Sequence, residues 1–505
     1  MILIFIQAVL VIGAGFLLLR LWRLAAPSER WLRYVVAAGF VGRALVGQAL
    51  FWISWARLPI ARSMQFGNGL WTFANDAFLY YVPFAFKAAE HGPRAIMTLE
   101  PAIVPSVTYV QALSATTWLF GLVTSAAVLL NLFCYLGIVA LLVHWPVKTP
   151  SARNAAAVAI TLISLSPAFV LWSSQPLKDT FFQFLVVAFV TSCAWWQRAW
   201  SMPNHTASRI GIGVLLSVLL YALAGIRWYF AFALIIAASL FLFLTAFRTA
   251  ARPIVAFSAA IVLTIVFCRL LLAAAAPYMP PKLIAAMTPS TAIATIRGVP
   301  DALLVDVDSA RDGFQRAGGN TAIIDPNRRV ATTAPMPVVP RRAAVSAARQ
   351  PETAPPVPVA PRRAAVSAAR QPATAPPIAP KSRASRLLAG TAATVLPRTI
   401  GEPLGLFHIA GGRSMLWFTE LDTLIFDISL LLAILSLVMR FRTSLRNPLT
   451  WLVVVLTVLV GGPLVYSITN YGSLFRLREM IYLGLLFTPL TVATAARAGS
   501  RSEDQ

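Results

Sequence analysis

Seven charged side chains stand where the chain has least reason to keep a charge: Asp76, Lys178, Asp179, Arg227, Arg476, Arg478 and Glu479. Six lie at the edge of an apolar run, and Asp76 stands just outside the bilayer in an aromatic-rich segment. An ionisable group there is costly unless it is paired or used. Asp76, in Asn75-Asp76-Ala77-Phe78-Leu79-Tyr80-Tyr81, could take a proton from a hydroxyl as a general base. Asn75 and Asp76 are also good helix-capping residues, and on spacing alone the capping role is favoured. Lys178 and Asp179 end the polar turn Trp172-Ser173-Ser174-Gln175-Pro176-Leu177-Lys178-Asp179. A compact ammonium suits a phosphate. A lysine reaching to the interface and an aspartate capping the next helix explain the same pair equally well.

Arg227 sits in Gly225-Ile226-Arg227-Trp228-Tyr229. It reads either as an anion ligand or as an interfacial anchor with its aromatic neighbours. Arg476, Arg478 and Glu479 open the last apolar run against the charge bias described below, which favours a functional reading. Glu420, Asp422 and Asp427 are likewise unusual at membrane depth. The four histidines (91, 144, 205 and 408) are scattered, so a histidine-based site is not expected.

The elements that must position these groups are membrane helices. Of 505 residues, 58% are hydrophobic and 12% charged, with mean hydropathy +0.74. A soluble chain of this length has too little interior for so much apolar surface. Apolar runs near 2–19, 34–55, 121–143, 154–174, 180–197, 210–226, 228–247, 254–276, 419–439, 450–469 and 480–496 predict about eleven spans. The fold class is an all-α polytopic transmembrane bundle with a long extracytoplasmic loop. Residues 1–19, lacking a basic start and a cleavage site, read as a retained span. The run 103–120, broken by Pro105 and several polar residues, is expected to lie in the interface or re-enter.

Basic loops set the orientation. Arg20, Arg23, Arg30 and Arg33, then Lys148 and Arg153, Arg198 and Arg209, Arg248 and Arg252, and Arg440, Arg442 and Arg446 fill alternate connections. The positive-inside rule makes these cytoplasmic, with the N-terminus outside and the C-terminus inside. A bacterial inner membrane fits that pattern. All seven singled-out residues then fall on the extracytoplasmic side. The net charge of +24 belongs to loops and one biased segment, so nucleic acid is not an expected partner. The three cysteines (Cys134, Cys193, Cys268) lie in apolar runs and read as small core residues.

The expected organisation is a membrane region 1–276 with an outer loop 56–102, a loop 277–325, a linker 326–386, a return segment 387–418 and closing helices 419–505. The linker is rich in Pro, Ala and Arg, and repeats Pro340 to Pro351 at Pro361 to Pro372. Such a composition is expected to be disordered. Asp306-Val307-Asp308 resembles a metal–nucleotide motif, but no nucleotide-binding pattern surrounds it.

The order of these features resembles the GT-C class of polytopic glycosyltransferases, more narrowly GT39-like and RgtA/B/C/D-like proteins of bacterial exopolysaccharide loci. The stretches that carry the resemblance are Asn75-Asp76 to Gly92, Phe120-Gly121 to Asn131-Leu132, and Ser166-Pro167 to Lys178-Asp179. Arg227 with its aromatic neighbours, Gly318-Gly319-Asn320 and Gly472 to Glu479 complete the series. The resemblance implies transfer of a sugar from a polyprenyl-phosphate carrier to an extracytoplasmic glycan or lipid acceptor. Asp76 would be the base, while Lys178, Arg227, Arg476 and Arg478 would hold the departing phosphate near Asp179 and Glu479. The family often pairs two acidic residues where this chain has Asn75-Asp76. The lipid-linked sugar is a substrate, no cofactor is required by the pattern, and a divalent metal is left open. Membrane lipid and other polysaccharide-assembly proteins are the remaining expected partners. A polysaccharide polymerase or ligase, and a non-catalytic partner of polysaccharide assembly or export, are the rival readings.

Overall fold

The computed structural model of the chain describes residues 2–99, 104, 106–121, 123–200, 206–249, 383–407, 416–467 and 471–500. These form helices and one two-stranded hairpin. In the N-terminal part the helices are α1 (Ile2–Ala25), α2 (Arg30–Trp55), α3 (Val82–His91), α4 (Pro93–Met97), α5 (Val107–Phe120) and α6 (Val123–Val143). Next come α7 (Pro150–Leu165), α8 (Pro167–Ser173), α9 (Asp179–Trp200), α10 (Thr206–Ala224) and α11 (Trp228–Thr249). The C-terminal part holds α12 (Arg383–Val395), α13 (Arg398–Gly401), α14 (Leu416–Met439), α15 (Phe441–Leu445), α16 (Pro448–Ser467) and α17 (Tyr471–Ser500).

Seven of these (α2, α6, α9, α10, α11, α14 and α16) are long and apolar enough to cross a membrane, and α7 with α8 makes an eighth if the bent pair is one span. Helices also cover the first and last expected runs, as α1 and α17. The run 254–276 lies outside the described residues, as do residues 326–382 of the linker. Arg383 to Arg386, assigned to the linker, instead begin α12. Helix α5, with 14 residues, is shorter than the about 20 a span requires.

Helix α9 is the axis of the bundle. Its span is 72% buried and that of α6 67%, against 28% for α2, α10 and α14. Phe182 and Phe189 of α9 pack with Tyr109, Tyr135, Phe169 and Phe230 in one continuous core.

The expected span 154–174 is broken, with a 58° bend between α7 and α8. Pro167 disfavours helical backbone at the residue before it, and Ser166 is accordingly extended. The Ser166 hydroxyl accepts from Phe169 N (3.4 Å) and donates to Asp422 Oδ1 of α14 (2.7 Å). The last carbonyls of α7 are met by Arg43 of α2, which donates to Ile163 O (2.7 Å) and Ser164 O (3.2 Å) and lies over the Tyr135 ring. A cation at a helix C-terminus is stabilised by the dipole as well as by the hydrogen bonds.

The hairpin pairs Gln65–Gly67 with Leu70–Trp71 in antiparallel sense. Asn68 and Gly69 both have positive φ, the backbone that a two-residue Asn-Gly turn needs. Ser54 Oγ donates to Leu70 O (2.8 Å) and Trp71 Nε1 to Leu50 O (2.8 Å). The hairpin is thereby fixed on the end of α2.

Helices α16 and α17 cross closely at Gly484, where an added Cβ would stand 1.9 Å from Thr457 Oγ1. Gly484→Ala is expected to destabilise the bundle by about 1–3 kcal/mol through overpacking. Adding Thr457→Ala, which removes the clashing oxygen, should recover part of the lost melting temperature in detergent. A double variant no more stable than Gly484→Ala would show that this crossing is not what limits packing.

Candidate functional site

The site is assembled at one end of the bundle, where α9, α11 and α17 begin and α2 ends. Asp179, the first residue of α9, is fully enclosed, and its carboxylate is shared by two arginines. Arg227 Nη2, from the short connection between α10 and α11, donates to Asp179 Oδ1. Arg476 Nε of α17 donates to Asp179 Oδ2 at 2.8 Å. Arg476 then reaches outward, and its Nη1 donates to Asp76 Oδ2. Exposure rises along this chain of ion pairs: 0% at Asp179 and 3% at Arg227, then 17% at Arg476 and 39% at Asp76. The network is anchored in the interior and opens to solvent at Asp76.

Asp76 does not cap a helix. Its backbone is already helical and its side chain accepts no capping hydrogen bond. The residues after it, Ala77–Tyr81, form a π-helical turn leading into α3. Such turns are rare and concentrate at functional sites. The carboxylate is turned instead toward Arg476, which corrects the capping role favoured from spacing.

Lys178 precedes Asp179 yet bonds neither carboxylate. Its Nζ donates to Ser106 Oγ (2.7 Å) and weakly to Ile226 O (3.5 Å), and lies 5.7 Å from the centre of the Tyr81 ring. Ser106 has left-handed backbone (φ 58°) at the start of α5, and its hydroxyl also bonds Ile226 O at 3.1 Å. Burial, reinforced by the neighbouring Arg227 and Arg476, pulls the Lys178 ammonium down to a pKa of about 7. Burial likewise pushes the Tyr81 phenol up to about 12.

Five of the seven residues singled out from sequence thus meet: Asp76, Lys178, Asp179, Arg227 and Arg476. Arg478 and Glu479 are placed elsewhere by helix geometry. Two residues along a helix is a turn of about 200°, so Arg478 faces away from Arg476. It donates to Asp422 Oδ2 (2.6 Å) and Thr423 Oγ1 (2.9 Å) of α14, and lies over the Phe426 ring. Glu479, three residues on, returns toward α9 but one turn deeper, where its Oε2 accepts from Gln183 Nε2 (2.7 Å). Among the described residues its other oxygen has no partner, nor do Arg476 Nη2, Arg227 Nε and Tyr109 OH.

Sequence reasoning missed Gln183 and Arg43, both inside apolar runs. A lone charge in such a run is a usable signal for Arg43; an amide gives none of comparable strength. Glu420, by contrast, lies at the bundle surface and accepts from Thr399 N and Oγ1. Asp306 and Asp308 lie outside the described residues. Among the described residues no three His, Cys, Asp or Glu side chains are grouped to hold a metal ion. What the cluster offers chemically is a reachable carboxylate beside two guanidiniums and an ammonium.

Asp179→Ala should be severely destabilising, by about 3–5 kcal/mol, because it leaves the buried Arg227 without its carboxylate and Arg476 with Asp76 alone. Asp76→Asn, at the exposed end, should cost about 1 kcal/mol or less. Thermal unfolding of both variants in the same detergent checks the ranking. Equal losses would mean that the two carboxylates carry similar weight in the fold.

Comparison of the chain with models of known families, with curated proteins and with solved structures finds no match.

Proposed function

We propose that the chain is an inner-membrane glycosyltransferase of GT-C type. It moves a sugar from a polyprenyl-phosphate carrier to an extracytoplasmic glycan or lipid acceptor in cell-surface polysaccharide synthesis. The observation that carries this reading is the Asp76–Arg476–Asp179–Arg227 chain with Lys178 beside it. A lipid-linked donor keeps its phosphate at the membrane surface, so its enzyme needs cations held at a helix-bundle end. It also needs a base next to them that the acceptor can reach.

The ion pairs suggest an order of events. The donor phosphate competes with Asp76 for Arg476, whose Nη2 has no protein partner among the described residues. Asp76, released from Arg476, accepts the acceptor hydroxyl proton as its oxygen attacks the anomeric carbon. The bond from that carbon to the phosphate oxygen breaks, and the leaving phosphate stays with Arg476 and Lys178. Attack from the face opposite the phosphate inverts the anomeric centre. Asp179 and Arg227 do not turn over in this scheme; they hold Arg476 in place. Arg478 and Glu479 act from further away, by fixing the rotation of α17.

Orientation is part of the proposal. Lys148 and Arg446 belong to connections, and Arg198 to the last turn of α9, at the end opposite the site, where Arg198 bonds Pro146 O and Gln197 bonds Asn447. Basic loops at that end fit a cytoplasmic face, which leaves the site outside. The non-catalytic reading has one observation in its favour. Asp76 is already engaged by Arg476, as a purely structural carboxylate would be.

The two readings separate in proteoliposomes supplied with a polyprenyl-phosphate sugar and a glycan acceptor. Asp76→Asn should lower transfer by about 10²-fold or more at normal protein abundance. Cells carrying it should lose the corresponding surface glycan. Unchanged glycan with normal abundance would sink the catalytic role of Asp76 and leave the assembly-partner reading ahead.

A further inference from the structure

Lys178 is the one cation of the cluster that has no carboxylate hydrogen-bonded to it among the described residues. Both nearby aspartates are engaged by arginines: Asp179 by Arg227 and Arg476, and Asp76 by Arg476. The atoms that receive Lys178 Nζ are the neutral Ser106 hydroxyl and the Ile226 carbonyl, with the Tyr81 ring alongside. Two guanidiniums stand nearby in the same half-buried volume. An ammonium held by neutral acceptors and flanked by cations is poorly stabilised as a charge. It becomes well stabilised when a dianion enters beside it.

We propose that the phosphate monoester of a polyprenyl carrier, the dianion left once its sugar has been transferred, binds this site together with a proton, which Lys178 takes up from solvent. The inference rests on the anion-site reading above and adds its coupling to protons. In the ligand-free protein the Nζ lone pair is open at mildly alkaline pH, and the two hydrogen-bond acceptors are satisfied by neutral N–H groups. On binding, Nζ gains a proton and becomes an ammonium, and the phosphate dianion supplies the counter-charge. The groups facing Lys178 are Tyr81, Asp76 and Ser106 from the outer segments, Asp179 of α9, Arg227 before α11, and Arg476 of α17. Of these, Ser106 does not titrate near neutrality, and the tyrosine ionises only far above it, its pKa being raised to about 12. The arginines stay charged throughout. Lys178, at about 7, exchanges a proton in that range.

The sign follows. Well above pH 7 the free site is neutral at Lys178, so binding must draw in a proton and affinity falls as pH rises. At pH 8 about one proton should accompany each phosphate, and at pH 6 close to none from this group.

Titration calorimetry of the full chain in detergent, with farnesyl phosphate as ligand, reads this directly. Runs at pH 8 in two buffers of different ionisation enthalpy give the protons taken up per ligand. The expected result is about one proton at pH 8 for the wild type, and about a tenfold weaker affinity at pH 9 than at pH 8. Lys178→Arg, permanently charged, should bind farnesyl phosphate without proton uptake at pH 8. Inorganic phosphate in place of farnesyl phosphate tells whether the tail is needed; proton uptake with either ligand supports the assignment. Wild-type binding at pH 8 with no proton uptake, or equal uptake by Lys178→Arg, overturns the role of Lys178 while leaving the anion site standing. Should Lys178→Arg fail to fold, the wild-type proton count at pH 8 decides alone. Absence of binding by both ligands at pH 6 and pH 8 overturns the anion-site reading itself.

Discussion

Asp179 has no contact with solvent, and an enclosed carboxylate costs several kcal/mol unless cations and hydrogen bonds compensate it. Much of this end of the bundle is arranged around that requirement. The compensating groups come from the turn before α11 and from the first turns of α17, far apart in sequence. Drawing both to one carboxylate sets the relative positions of three helix ends. Arg476 has nitrogen left over after meeting Asp179 and uses it on Asp76, so the segment 72–91 is tied to the same point. The aromatic neighbours complete the seating, with Phe73 against Trp172 and Trp172 against Phe475.

A second set of polar contacts does comparable work lower down. The break at Ser166-Pro167 frees carbonyls in an apolar setting, where unsatisfied backbone groups are expensive. Arg43 takes two of them, while Ser166 spans to Asp422, whose other oxygen holds Arg478. Both oxygens of Asp422 are therefore in use, as are both oxygens of Asp179. Most buried charges of the described helices lie in these two groups, with Glu479 and Arg398 apart from them, and each group joins helices that sequence separation alone would leave unrelated.

Residue types and hydropathy brought five of the charged residues into one group. Asp76, Lys178, Asp179, Arg227 and Arg476 share one side of the membrane under the positive-inside rule, and they do converge at one end of the bundle. What hydropathy could not carry was direction around a helix axis. Arg476, Arg478 and Glu479 look like one charged patch in a string. They belong to three environments because α17 begins before them and winds them apart. The cap assigned to Asp76 failed for a related reason: helical backbone starts earlier, so the side chain is free to turn toward α17. The hairpin was legible in Gly67-Asn68-Gly69, a turn signature that an expectation of helices throughout passed over. Boundaries of apolar runs were sound to within a few residues where no charge interrupted them, and drifted where one did, as at the start of α17.

The opposite facing of Arg476 and Arg478 has a mechanical meaning. One grips α9 and the outer segment, the other grips α14, and the two point in nearly contrary directions from a single rod. Rolling α17 about its own axis would break both grips at once, so that degree of freedom is closed. With α17 held, Asp76 can part from Arg476 through a turn of either side chain or a shift of the segment 72–91. The exposed carboxylate is the partner with room to move, and α17 is the fixed post beside it.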